Sequence, residues 1–284
     1  IVDSVGGVLD SARVSYVKWD MNRHLAGVSG AFAHRYILGL YEVLHRIFDA
    51  RPDILLESCS SGGNRFDLGM LCFSPQIWCS DDTDPIERLD IQKGLSYLYP
   101  LSAMGAHVSA SPHSQTLRRT PFGTRFAVSC FGCLGYELDL RELTPAELRE
   151  AKRQVEFYKK HRMTLQYGRF YRFTLPEGRE AFSCVARDGA EAVTGHLRRL
   201  VHAAPAFEKL PAAGLERDAL YEVGSLPPLL RISDFGALIK HALPLKLRAD
   251  GAIMRRADRL AGLRQAEQKY RASGAALLDG IRLQ

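Results

Sequence analysis

Two short stretches carry the residues best suited to chemistry. The first is Lys18-Trp19-Asp20-Met21-Asn22-Arg23 and the second is Ser80-Asp81-Asp82-Thr83-Asp84. Asp20 has Lys18 and Asn22 two residues away on either side. Opposite charge and hydrogen bonds favour the ionised form of a carboxylate, so Asp20 is expected to be charged. Such an aspartate is either a nucleophile or a member of a structural ion pair. In the second stretch like-charge crowding is expected to raise at least one pKa. One carboxylate kept ionised and another able to hold a proton form the minimal machinery for breaking a glycosidic bond. Trp19 and Trp78 offer apolar surface for a sugar ring. The acidic run also suits a divalent cation, or the solvated start of a helix at Pro85. On the residues alone these readings stay open.

The surrounding elements must bring the two stretches together. Val14–Trp19 reads as a strand that emerges into the first stretch. Residues 31–50 read as a helix, with Ile37, Leu40, Tyr41, Leu44 and Phe48 on one face and Arg51-Pro52 at its end. Asp53–Ser58 is a short strand running into the small-residue loop Cys59-Ser60-Ser61-Gly62-Gly63-Asn64. Gln76–Cys79 is the strand before the second stretch. A largely helical segment follows from Pro85 to Met104, interrupted at Pro100. Ala106–Ala110 is a strand, Phe122–Phe131 a helix, and Leu134–Leu140 a strand. Thr144-Pro145-Ala146-Glu147 is a capping box that opens a helix to about Arg162.

Five strand–helix units in succession imply a parallel sheet covered by helices. Polar clusters end four of the strands: Asp20, the Cys59 loop, Asp81/Asp82/Asp84, and Glu137/Asp139. A (β/α)8 barrel builds its site in this way, from several strand ends. A doubly wound sheet gathers its site at one switch point, and no G-x-G-x-x-G follows any strand. The predicted fold class is therefore α/β: the C-terminal five strand–helix units of a (β/α)8 TIM barrel over residues 1–167. After about Gly168 short β-prone runs take over, with Asp188-Gly189 as a hairpin turn. Residues 168–284 read as a β-rich domain with a small antiparallel β-sandwich. A basic helix is expected over Met254–Arg271.

The chain of 284 residues is 46% hydrophobic and 25% charged, ordinary for a globular protein. No apolar run is long enough to span a membrane. The net charge of +6 resides between Lys240 and Gln284, where ten Lys/Arg face four Asp/Glu. Only Tyr270 is interleaved with these charges, so a solvated face is expected rather than a nucleic-acid platform. Six cysteines without framework spacing suit a reducing cytoplasm. Cys130-Phe-Gly-Cys133 lacks a second ligand pair and reads as buried thiols, not a zinc or redox site. The first residue, Ile1, lies close to a strand, which suggests that the natural chain begins earlier.

Lys18–Arg23 resembles the nucleophile motif of glycoside hydrolase family 36, the bacterial and fungal α-galactosidases. The resemblance continues through Glu57–Asp67, Pro75–Asp84, Tyr99-Pro100, Met104–Ser109 and Gly135–Asp139, covering residues 13–165. It implies a retaining α-galactosidase acting on raffinose or melibiose through a covalent galactosyl-enzyme. Asp20 matches the nucleophile. The acid/base falls in Ser80-Asp81-Asp82; it is assigned to Asp81 because the second position varies to Asn in the family, with Asp82 as the alternative. Lys18, Trp19, Asn22, Cys59, Gly62 and Asp82 match substrate contacts. No metal or organic cofactor is implied. The expected partner is a galactose-containing oligosaccharide, not nucleic acid or a membrane, with a homo-oligomer for the full-length protein.

Asn64 and Cys79 depart from the family's Gly and Thr, and Pro112-His113-Ser114-Gln115 is a variant stretch. The family's N-terminal β-sandwich and first three barrel strands, which carry two galactose-binding aspartates, precede the region matched. The chain alone is therefore expected to be inactive and poorly stable. Two other functions remain: an inactive partner or pseudoenzyme subunit, and a related galactosyltransferase or α-N-acetylgalactosaminidase.

Overall fold

A computed structural model describes the chain except residues 24, 177, 201–208, 243–246, 249–250, 261, 265 and 283–284. The first half alternates helix and strand: α1 (Val2–Asp10), β1 (Tyr16–Trp19), α2 (Gly30–Phe48), β2 (Leu55–Ser58), α3 (Leu68–Leu71), β3 (Gln76–Trp78), α4 (Pro85–Leu95), β4 (Met104–Ser109), α5 (Phe122–Ser129), β5 (Cys133–Glu137) and α6 (Pro145–Tyr167). The five strands form one sheet in the order β1-β2-β3-β4-β5, and every pair is parallel. Strand order follows chain order with no reversal, as in a barrel wall and unlike a doubly wound sheet.

The local chemistry explains the elements. On α2, Leu40, Leu44, Ile47 and Phe48 are buried at three- and four-residue spacing. They pack with Leu56 and Ile77 of the sheet. Asp84 caps α4 by accepting the N–H of Ile86 at 2.8 Å, with Pro85 in the first turn. The helical stretch read as far as Met104 ends earlier, at Leu95, and only a 3-10 turn at Leu101–Ala103 follows Pro100. The capping box of α6 forms as expected. Thr144 N–H donates to Glu147 at 2.9 Å, and Glu147 N–H donates back to Thr144 Oγ1 at 3.2 Å. The helix α1 was not foreseen, because Gly6 and Gly7 weaken its propensity; packing of Leu9 beside Leu40 and Leu44 holds it.

Alternation along the strands sorts side chains to two faces. Leu56, Ile77, Met104 and Val108 meet the helices. Lys18 pairs in register with Glu57, and Glu57 with Gln76, on the opposite, concave face. Trp78 and His107 continue that face, with ring centroids 4.3 Å apart. Gly105 makes room for the indole, since a Cβ there would lie 2.9 Å from Trp78 Cε3.

The second half comprises β6 (Arg169–Thr174), β7 (Arg179–Val185), β8 (Ala192–Arg198), β9 (Lys209–Leu210), β10 (Leu220–Gly224), β11 (Leu229–Leu230), α7 (Ile239–Ala242), α8 (Ala252–Leu260), β12 (Leu263–Arg264), β13 (Lys269–Ser273), α9 (Gly274–Leu278) and β14 (Ile281–Arg282). The described residues form a three-stranded sheet, β6-β7-β8, and the two-stranded ladders β10-β13, β11-β12 and β9-β14. All are antiparallel. Phe182, Cys184, Val193 and Leu197 join Met104, Val108 and Phe126 in one core, so the three-stranded sheet is fused to the first half. The helix expected over 254–271 ends at Leu260. Beyond it the chain pairs with β11 and then β10, and Arg264 bonds the buried Glu150; tertiary pairing overrides the helical pattern. Cys130 is buried and Cys133 half-buried, both as free thiols. Burial raises both pKa values, that of Cys133 to about 11, which disfavours the reactive thiolate. No described helix is long and apolar enough to cross a membrane.

Candidate active site

Asp20 lies one residue beyond β1 and is exposed. Its Oδ1 accepts the N–H of Met21 at 2.7 Å, and its Oδ2 accepts Asn22 Nδ2 at 2.9 Å. Partial burial raises its pKa, but hydrogen bonds from the Cys59 thiol, Asn22 and the Met21 and Ser61 backbone outweigh this and leave it lowered. The ionised state expected from Lys18 and Asn22 is thus produced by local donors. Burial pushes the Cys59 thiol up to about 11, so it stays protonated and able to donate.

Lys18 does not touch Asp20. Its Nζ lies 3.6 Å from Glu57 Oε1 and 4.6 Å from the Trp78 ring centroid. Trp19 alternates to the other face and meets Phe48 of α2 edge-on, with centroids 6.4 Å apart. Trp78 is buried, its ring also covered by the Arg88 guanidinium at 4.5 Å. The buried Trp78 does not present the open face expected for a sugar, and Trp19 is half-buried. Trp78 instead donates Nε1–H to Asp81 Oδ1 at 3.0 Å.

Asp81 is exposed beyond β3, while Asp82 and Asp84 are used locally. Asp82 Oδ1 accepts the N–H of Asp84 at 3.0 Å. Asp84 is fully buried and bonded by Thr116 and by Arg118, whose Nη1 lies 2.6 Å away. Burial raises the Asp84 pKa, but bonds from Thr116, Ile86 N–H and Arg118 reverse the sign and leave it lowered. Like-charge crowding therefore does not govern this carboxylate, and its partners make it a helix cap and ion pair. Among the described residues no group of three or more His, Cys, Asp or Glu could hold a metal ion.

The loop after β2 joins the two stretches. Ser61 Oγ donates to Asn22 Oδ1 at 3.2 Å. Gly62 has φ of +87°, and a Cβ there would lie 3.0 Å from Asp81 N; one on Gly63 would lie 2.4 Å from Cys79 O. Glycine lets this loop lie against the end of β3 while its neighbours hold Asp20 and Asn22. Arg65 secures it from below, donating from Nη2 to Cys59 O at 2.6 Å.

Four residues escaped the sequence reading. Arg88 is buried and donates to Ser80 O at 2.6 Å and Asp82 O at 2.7 Å, fixing the backbone that carries Asp81. An arginine in the first turn of α4 opposes the helix dipole, which was a usable signal. Glu57 is 2% exposed; burial, and then Glu137, raise its pKa to about 7. A lone carboxylate within an apolar strand marked it. Arg65 and His107 carried no such local signal.

The melibiase family model matches residues 1–168, and the model of the glycosyl hydrolase family 36 C-terminal domain matches residues 179–283. The chain belongs to the glycoside hydrolase family 36 α-galactosidases. α-Galactosidase AgaA of Geobacillus stearothermophilus is 46% identical over 237 residues, 80% of this chain and 32% of the relative. Mel36A of Lactobacillus acidophilus is 43% identical over 232 residues, 78% of this chain and 32% of the relative. The chain thus spans about a third of the length of these curated family members. The AgaA crystal structure matches with a TM-score of 0.73 at 45% identity, covering 76% of this chain and 32% of AgaA. The galactosidase domain of AgaSK matches at 0.79 and 36% identity, covering all of this chain and 34% of that one. Structures of AgaA variants contain raffinose or stachyose.

Proposed function

We propose that this chain carries the nucleophile and the acid/base of a retaining α-galactosidase, and forms the last five units of a (β/α)8 barrel. One observation carries the reading. The Cys59–Gly63 loop bonds the Asp20 side through Ser61 and Asn22, and packs against the backbone of Asp81 through Gly62. Asp20 attacks the anomeric carbon while Asp81 protonates the leaving oxygen. Water then releases galactose, with Asp81 acting as base. Retention requires the two carboxyl groups roughly 5–5.5 Å apart. Asp81 is preferred to Asp82 because it is the more exposed of the two, while Asp82 is half-buried in the turn into α4. Cys59 keeps Asp20 ionised and oriented, and Lys18 and Asn22 contact sugar hydroxyls. No metal or organic cofactor enters the mechanism. The substrate is a terminal α-galactoside of the raffinose type, met in the cytoplasm.

The test is turnover of nitrophenyl α-galactoside by this chain and by a chimera that places the preceding segment of AgaA ahead of Ile1. The chain alone should be inactive and the chimera active. Asp20→Ala and Asp81→Ala should each lower kcat in the chimera by about three orders of magnitude. An Asp20→Ala chimera with unchanged turnover would remove the nucleophile assignment.

A further inference from the structure

A cavity of about 550 Å³ lies between the start of α5, the start of α6 and the Leu229–Asp234 segment. That volume falls in the usual range of small-molecule sites, about 300–1,000 Å³. None of its lining residues belongs to the Asp20–Asp81 site. Arg119, Arg125 and Arg231 line it together with Glu147 and Asp234.

Both acids are already engaged. Glu147 receives Arg231 on Oε1 and Thr144 on Oε2. Asp234 Oδ2 accepts the backbone N–H of Arg231 at 2.8 Å. Arg125 makes no direct ion pair with either acid, and Glu147 acts on it only at a distance. It is 3% exposed, donates through Nη1 to the carbonyl of Ser109, and lies 4.8 Å from the Phe122 ring centroid. Its buried Nε has no acceptor among the described residues. Burial, and then Arg231, depress its pKa to about 10 against the opposing charge of Glu147. A buried guanidinium donor left without an acceptor is costly. Arg119 stands exposed at the same cavity. Helix α5 begins in this wall, and its N-cap, Pro121, offers no side-chain acceptor. The positive end of its dipole adds to the two arginines.

We infer that this cavity binds a small anion through a phosphoryl group held by Arg125, Arg119 and the first turn of α5. Arginine forks match phosphate oxygens in pairs, and the volume leaves room for an organic body beyond the phosphate.

Calorimetric titration of the 284-residue chain with inorganic phosphate and with a hexose phosphate, at constant ionic strength in chloride, tests this. Saturable binding of one or both is expected. Arg125→Gln and Arg119→Gln should each weaken it about tenfold. Because Arg119 is exposed, its variant should keep the wild-type urea midpoint and decides the matter even if Arg125→Gln fails to fold. Tighter binding of the hexose phosphate identifies an organic phosphate, and equal affinity identifies phosphate itself. Absence of saturable binding by either probe, unchanged binding in Arg119→Gln, or acetate binding as tightly as phosphate overturns the inference.

Discussion

Gly63→Ala tests the contact that brings the two carboxylate-bearing stretches together. A Cβ at residue 63 would stand 2.4 Å from Cys79 O, 3.2 Å from Cys79 C and 3.6 Å from Trp78 O. All three are backbone atoms at the end of β3, so no side-chain rotation relieves the overlap. Comfortable carbon contacts lie near 3.5–4.0 Å, and the loop must therefore retreat by about 1 Å. Overpacking of this kind costs about 1–3 kcal/mol. The loss of unfolded-chain entropy on replacing glycine returns about 0.4–1 kcal/mol. The net expectation is a destabilisation of about 1–2 kcal/mol, read as a lower urea midpoint at constant m. Gly39→Ala is the control. It lies within α2 with nothing within 4 Å of the added Cβ, so it should gain about 0.5–1 kcal/mol. A Gly63→Ala chain as stable as wild type to within about 0.5 kcal/mol, beside a stabilised control, would refute the packing argument.

Glu57 holds its proton more tightly in the folded chain, with a pKa raised from 4.5 to about 7 by burial and then by Glu137. Its contribution to stability therefore falls as pH rises from about 4.5 through 7. Glu57→Gln should gain on wild type by up to a few kcal/mol between pH 5 and 8; urea midpoints at both pH values check this, and a constant difference counts against it. Asp84→Ala removes the α4 cap and leaves the half-exposed Arg118 with only Glu87, so it should cost about 2–3 kcal/mol in urea unfolding. Asp84 has a lowered pKa: burial opposes the shift, while Thr116, Ile86 N–H and Arg118 outweigh it. Its contribution is present above about 3.8 and is lost as pH falls through the folded value. The gap to Asp84→Asn should close in acid, and thermal melts between pH 3 and 7 measure it.

The parallel sheet was legible because strand-like and helix-like segments alternated and four of the five strands ended at a polar cluster. The capping box at Thr144 was local and formed as read, whereas the helix start at Pro85, read as solvated, is capped by a buried Asp84. The candidate site was legible as two motifs but not as a geometry. Trp19 and Trp78 both looked available to a sugar. Strand alternation sends Trp19 to Phe48, and tertiary contacts bury Trp78 beneath Lys18, Arg88 and His107. Crowding of Asp81, Asp82 and Asp84 suggested a raised pKa, but Arg118 and Thr116, more than thirty residues along, hold Asp84 ionised. After Leu260 the period of the residues suggested helix, and long-range pairing with β10 and β11 replaced it with strands.

The central claim is that Asp20 is the nucleophile. Its most direct test is peptide mapping by mass spectrometry of the active chimera after reaction with an activated fluorinated α-galactoside that slows breakdown of a glycosyl-enzyme. One fluorinated galactosyl residue should be found on the peptide that contains Asp20, attached at its carboxylate, and no adduct should form in Asp20→Ala. A label on Asp81, Asp82 or any other residue would contradict the account.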